Sequence, residues 1–190
     1  MKRSFSVLIL LLLLGLSLQA QNAFLGLTYS LGLPQGHTKD FLNKTSYLGF
    51  SFEARKFVRE SYTFGLSLNW QAFAQDIKRQ GETVQKRNID ALPLLATTHY
   101  YFRGSETFIP YAGIGLGAYR ITLTAKDPEA DFKEANWHLG FAPELGLIIR
   151  IDYGIGFLFL VKYNYALAAG DGDAQTWLSL QIGAAWTGDR

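Results

Sequence analysis

His37, His99 and His138 are the residues of this chain best suited to ligating a metal or to moving a proton near neutral pH. Their separations match no ligand motif and they fall on different elements, so the sequence predicts neither a metal nor a cofactor. Nucleophilic catalysis needs a hydroxyl within hydrogen-bond reach of a base. His138-Leu139-Gly140 supplies none, and Thr97-Thr98-His99 offers only a threonine on the wrong side of the ring, so no catalytic residue is assigned. The absence of cysteine excludes thiolate metal sites, disulfides and a lipidated cysteine. Asp171-Gly172-Asp173 opens like a calcium loop, but Gln175 takes the fifth place and no glycine follows at the sixth, which leaves a solvated turn. Gly113, Gly115 and Gly117 alternate along a strand rather than joining strand to helix, so they form no phosphate loop. Their expected task is to leave interior room or to let Tyr111 and Tyr119 pack.

Four charged residues remain. Glu53, Arg55, Glu144 and Lys162 occupy positions where the surrounding pattern turns small and polar side chains inward, with Arg150 near one end as a possible fifth. In a wide pore such a set acts as a selectivity ring. In a narrow lumen the same charges pair and block passage, because a buried charge left alone is costly. The second reading is the one adopted for these residues.

The elements that position them follow a period of two. Leu25, Leu27, Tyr29, Leu31 and Leu33 alternate with Phe24, Gly26, Thr28, Ser30 and Gly32, which is the signature of a strand. The pattern recurs around Leu48–Ala54, Tyr62–Trp70, Ile89–Phe102, Ile109–Thr124, Leu139–Ile149, Phe157–Tyr165 and Leu178–Trp186, giving eight strands. Pro93 and Pro143 interrupt two of them, where bulges are expected. Connections alternate long and short. The long ones are Pro34–Thr45, Ala74–Asn88, Ala125–Asn136 and Ala168–Gln175; the short ones are Arg59–Ser61, Arg103–Thr107 and the turn at Ile151-Asp152-Tyr153. The second long connection nets +2 and the third −2, so neighbouring loops should attract.

Volume decides which parity faces inward. An eight-stranded barrel has an interior only just filled by side chains, so the bulky parity cannot fit there, whereas the Gly, Ser, Thr, Asn and Gln parity can. The bulky parity must then meet lipid. A ten-residue strand rising about 3.3 Å per residue and tilted about 40° covers roughly 25 Å, the height of a lipid-facing band. The fold class is therefore all-β: an eight-stranded antiparallel up-and-down transmembrane barrel over residues 21–190.

Residues 1–20 carry Lys2-Arg3, an apolar run from Val7 to Leu14 and the exit Gln19-Ala20, and read as a secretory signal peptide cleaved after Ala20. Without Lys2 and Arg3 the chain holds 16 basic and 16 acidic residues, so no net basic field argues for nucleic acid. The runs Leu92-Pro93-Leu94-Leu95, Pro110-Tyr111-Ala112-Gly113-Ile114-Gly115-Leu116-Gly117 and Gly140-Phe141-Ala142-Pro143-Glu144-Leu145-Gly146 resemble the porin-family outer-membrane β-barrel domain, of the small OmpA and OmpX type. That resemblance implies a barrel in the outer membrane of a Gram-negative cell and no single shared activity. It departs from many such barrels at its end, where Trp186 is followed by Thr187-Gly188-Asp189-Arg190 rather than closing on an aromatic. The expected partners are outer-membrane lipids, lipopolysaccharide and the barrel-insertion machinery. The expected role is structural or one of surface interaction through four long loops; a small solute channel is the alternative, and a lipid-modifying enzyme a remote one.

Overall fold

A computed structural model describes residues 22–79, 82–126, 131–152, 154–170 and 172–188; the expected export segment, residues 1–20, lies outside them. The strands are β1 (Ala23–Gln35), β2 (Leu48–Arg59), β3 (Tyr62–Arg79), β4 (Glu82–Tyr101), β5 (Phe108–Lys126), β6 (Asp131–Asp152), β7 (Ile155–Ala166) and β8 (Gln175–Thr187), with one short helix α1 (Gly36–Phe41) after β1. Each strand pairs antiparallel with the next, and β1 pairs with β8 from Phe24↔Thr187 to Gln35↔Thr176, closing the sheet. Closure leaves no open edge, so backbone donors and acceptors are satisfied without water, which hydrocarbon demands.

Alternation along each strand separates two solvents. On β3, Leu66 is 60% exposed while its neighbour Ser67 is fully buried. The same division runs round the barrel: Leu27, Phe50, Phe64, Leu94, Leu116, Leu145, Phe157 and Ile182 point outward, while Thr28, Ser51, Thr63, Thr97, Glu144, Lys162 and Gln181 point inward.

Two expectations about backbone are corrected. Residues 74–79 and 82–88 are not a long loop but paired strand, with Ala74↔Asn88, Asp76↔Lys86 and Ile77↔Gln85 in register. Likewise β5 runs to Lys126 and β6 starts at Asp131, with Thr124↔Lys133 and Lys126↔Asp131 paired, so Ala125–Asn136 is mostly sheet. A polar sequence signals a loop when one face must be apolar, but a sheet wetted on both faces needs no apolar face. The oppositely charged stretches meet as neighbouring strands, joined by Arg87↔Ala125 and Lys86↔Lys126.

Bulges are absent at both prolines. The β3–β4 ladder lapses between Leu68↔Leu94 and Gln71↔Ala91, around Pro93, and resumes in the same register. The β6–β7 ladder does so between Phe141↔Tyr165 and Glu144↔Lys162, around Pro143. An inserted residue would reverse the parity of everything beyond it, exposing the polar face to lipid, whereas a lapse of two pairs keeps the faces sorted. Register shifts occur instead near strand ends, at Phe57/Arg59, Ile77/Lys78 and Arg150/Asp152.

The outward assignment is testable on β3. Arginine at Leu66 meets hydrocarbon and should cost roughly 2–4 kcal/mol near the midplane. In bilayers a fluorophore on Leu66→Cys should be quenched by lipid-borne spin labels, and one on Ser67→Cys should not. Quenching confined to Ser67→Cys would turn the barrel inside out.

Candidate functional site

Inward parity puts Glu53 and Arg55 side by side on β2, while strand register sets Glu144 of β6 directly against Lys162 of β7. His99 on β4 and Glu144 on β6 both pair with Gly113 of the intervening β5. A Cβ at Gly113 would run into the His99 ring, so the missing side chain is what lets the imidazole reach across a strand. Gly146 performs the same service for the Tyr111 ring, while a Cβ at Gly140 would meet the Tyr165 carbonyl oxygen first and the Tyr119 ring second.

The four charges read from the sequence lie in mutual contact. Arg55 is ion-paired to Glu53 through Nη2, and its Nε donates to Glu53 Oε2 at 2.9 Å. Its Nη2 also reaches Glu144 Oε1 at 3.1 Å, and Nη1 donates to the Tyr101 hydroxyl at 2.9 Å. The guanidinium sits 4.5 Å from the Phe24 ring centroid and 4.6 Å from that of Tyr111. Lys162 Nζ lies 2.7 Å from Glu53 Oε1 and 3.0 Å from Glu144 Oε2. Ser67 donates to Glu53 Oε1 at 3.2 Å. Two carboxylates and two cations thus neutralise one another in a space from which water is nearly excluded. Arg150 stands apart from this cluster at the short-turn rim, where its backbone N–H donates to the Thr107 carbonyl.

Sequence reasoning did not join His99 to this group. Its Nε2 is 2.9 Å from Glu144 Oε1 and its Nδ1 is 3.2 Å from Thr63 Oγ1, a threonine on the neighbouring strand rather than in the local sequence. The ionised carboxylate only accepts, so Nε2 carries the proton and Nδ1 accepts from the threonine hydroxyl. The order hydroxyl, imidazole, carboxylate is that of a nucleophilic relay. Here Thr63 is fully buried and His99 is 1% exposed, so the relay has no open face. Glu53, His99 and Glu144 also offer ligand atoms within 4.8 Å of one another. They do not suit a metal ion: both imidazole nitrogens are engaged, and the two fixed cations already hold the carboxylates.

Large apolar side chains seal the charges on both sides, a feature the alternation of sizes had concealed. Towards the short turns lie Phe24, Phe57, Tyr101, Tyr111, Ile148 and Leu158. Towards the long connections lie Phe73, Ile89, Tyr119, Ile121 and Trp177, joined by Leu42, which enters from the segment after α1. The other two histidines are remote from the cluster: His37 is exposed on α1, 3.9 Å from Asp40, and His138 faces inward near the long-connection end. Asp173 is exposed and Asp171 lies outside the described residues.

Compared with known proteins, the profile of the outer membrane protein beta-barrel domain matches residues 6–187. The chain belongs to this family. It is therefore an outer-membrane barrel, and its bulky outer face is the face that meets lipid. Among solved structures the barrel is similar to Neisserial surface protein A, with a TM-score of 0.64 and 11% identity over 88% of this chain and 97% of that one. It is similar to OprG from Pseudomonas aeruginosa, with a TM-score of 0.55 and 14% identity over 88% and 96% of the two chains. Ail, the attachment invasion locus protein of Yersinia pestis, solved with the heparin analogue sucrose octasulfate, gives 0.52 and 15% over 86% and 95%. At these identities the likeness is one of fold. No curated protein matches the chain by sequence.

Removing one charge strands its partners. Glu144→Gln should lower the unfolding free energy by roughly 3–5 kcal/mol, read as an earlier urea midpoint in lipid vesicles. An unchanged midpoint would mean that the cluster does not hold the strands together. Gly113→Ala should also destabilise, by displacing His99 from Glu144, at a cost on the order of 1–3 kcal/mol.

Proposed function

We propose that this protein is a sealed outer-membrane barrel, acting as a structural element of the envelope and through the surface it raises beyond the membrane, with neither catalysis nor solute conduction. The observation that carries this reading is the lumen: a charge-balanced, ion-paired cluster closed between two apolar layers. A channel needs a wetted path, and each of the four charges at the centre of the lumen is engaged by an opposite charge. An enzyme needs access to its base, and the Thr63–His99–Glu144 relay is closed to solvent.

The surface available to partners is the wall of extended strands β3 to β6 with the connections that contain α1 and join β7 to β8. By the usual asymmetry of such barrels, long connections face outward and short turns face the periplasm. Two similar barrels bear the names of a surface protein and an attachment protein, which accords with this reading. Outward-facing Arg120, set beside Trp137 across the β5–β6 ladder, suits the headgroup level and the phosphates of lipopolysaccharide. Delivery to this site through the barrel-insertion machinery, after removal of residues 1–20, completes the proposal. Intact mass of the membrane-extracted protein should show those residues absent; a full-length product would contradict export by a cleaved leader.

Single-channel recording of the refolded protein in planar bilayers tests the central point. The sealed lumen predicts no steady openings. Reproducible openings would replace this reading with that of a small pore.

A further inference from the structure

Where β3 to β6 continue past the lipid-facing band, register sorts their outward side chains into rows. Asp76, Lys86, Lys126 and Asp131 form one row across the four strands, with Lys86 and Lys126 as direct partners. The next row towards the membrane holds Ala74, Asn88, Thr124 and Lys133. Arg120 lies two rows further down, beside Trp137.

Like charges directly opposite one another on a sheet face repel. Lys86 and Lys126 are nevertheless partners, and Lys133 sits on the diagonal from Lys126, within reach of a long side chain. All three are exposed, and none is ion-paired among the described residues, although Asp76 and Asp131 flank the row. Arg87, on the opposite face of β4, shows the contrast: it donates to the Gln85 side chain at 2.8 Å and to the Phe41 carbonyl at 2.7 Å. Three cations with an amide and a hydroxyl among them suit a multiply charged oxyanion. The ammonium groups supply charge, and Asn88 and Thr124 supply directed donors.

Parity and height select the partner. Lys86, Lys126 and Lys133 share the parity of Leu94, Leu116 and Leu145 on the same strands, so they look sideways over the membrane rather than up from its surface. Lys126 lies six residues beyond Arg120 on β5, which on a strand rising about 3.3 Å per residue and tilted about 40° sets it roughly 15 Å above the headgroup level. A sideways face at that height meets molecules standing in the same leaflet. In an outer membrane these are lipopolysaccharides, which carry phosphate on their sugars.

We infer that Lys86, Lys126 and Lys133, with Asn88 and Thr124, form a binding surface for the phosphate groups of lipopolysaccharide standing beside the barrel. A phosphate between Lys86 and Lys126 converts their repulsion into shared attraction. The inference deepens the proposed surface role and rests on the orientation that puts β3 to β6 outside the cell; it stands whether or not the lumen conducts.

Titration calorimetry of the refolded protein with purified lipopolysaccharide, both in the same non-ionic micelles, tests the assignment. Saturable binding should weaken by at least about tenfold in the triple variant Lys86→Gln, Lys126→Gln, Lys133→Gln, and likewise when the lipopolysaccharide is stripped of phosphate. Lys39→Gln combined with Lys44→Gln, which removes exposed charge from the connection after β1, should leave binding unchanged. Inorganic phosphate at matched concentration should not displace the lipopolysaccharide. The single variant Lys126→Gln, weakened in the same direction, keeps the test open if the triple variant does not refold. The inference is overturned by absence of saturable binding, by binding that survives the substitutions or the loss of phosphate, by equal weakening in the Lys39 and Lys44 variant, or by displacement with inorganic phosphate. Orientation is read separately, since the native chain has no cysteine. On intact cells a membrane-impermeant maleimide should label Lys39→Cys and not Glu106→Cys in the β4–β5 turn; the reverse would put the wall in the periplasm and overturn lipopolysaccharide as its partner.

Discussion

Two carboxylates and two cations held in contact inside a closed sheet are the constraint around which this barrel is arranged. Glu53 and Arg55 come from β2, Glu144 from β6 and Lys162 from β7, so the cluster spans the lumen rather than following one strand. Taking four charges out of water is expensive, and their mutual attraction offsets that cost only where geometry is good and remaining donors find partners. Tyr101, Tyr111, Ser67 and His99 supply those partners. A slip of one residue on β6 or β7 would separate Glu144 from Lys162 and turn a charge into lipid, so the cluster penalises every register but one.

The apolar layers above and below complete the arrangement. They exclude water from the charges, which strengthens each ion pair and raises the penalty for breaking it. They also close the charged centre of the narrow lumen on both sides. Outside, lipid sets the opposite rule: the bulky side chains need no partner there, and the closed sheet pairs the backbone apart from the two short lapses beside Pro93 and Pro143. Past the membrane both rules lapse, and β3 to β6 continue as sheet on polar sequence.

The parity of all eight strands was legible in the sequence because the two faces meet solvents of opposite kind, and Leu66 beside Ser67 shows how sharply. The four lumen charges were legible for the same reason, as ions on the small-residue face. The plugs were not, because Phe24, Phe73 and Trp177 interrupt the size rule on the inward face and only the register shows that they stack in layers. Strand pairing also brings Thr63 and Glu144 to His99, far apart in the chain, so local spacing could not find them. The extended hairpins were hidden because polarity signals loops, and the prolines because a lapse in the ladder leaves no mark on the alternation.

The central claim is that the buried charges behave as one unit. A double-mutant cycle on Glu53→Gln and Lys162→Met, by reversible urea unfolding in lipid vesicles, measures this directly. Each single change should cost several kcal/mol, and the double variant should cost less than their sum by about 1–3 kcal/mol, because removing both partners leaves neither stranded. Costs that add to within about 0.5 kcal/mol would show that Glu53 and Lys162 act independently, and would contradict the account.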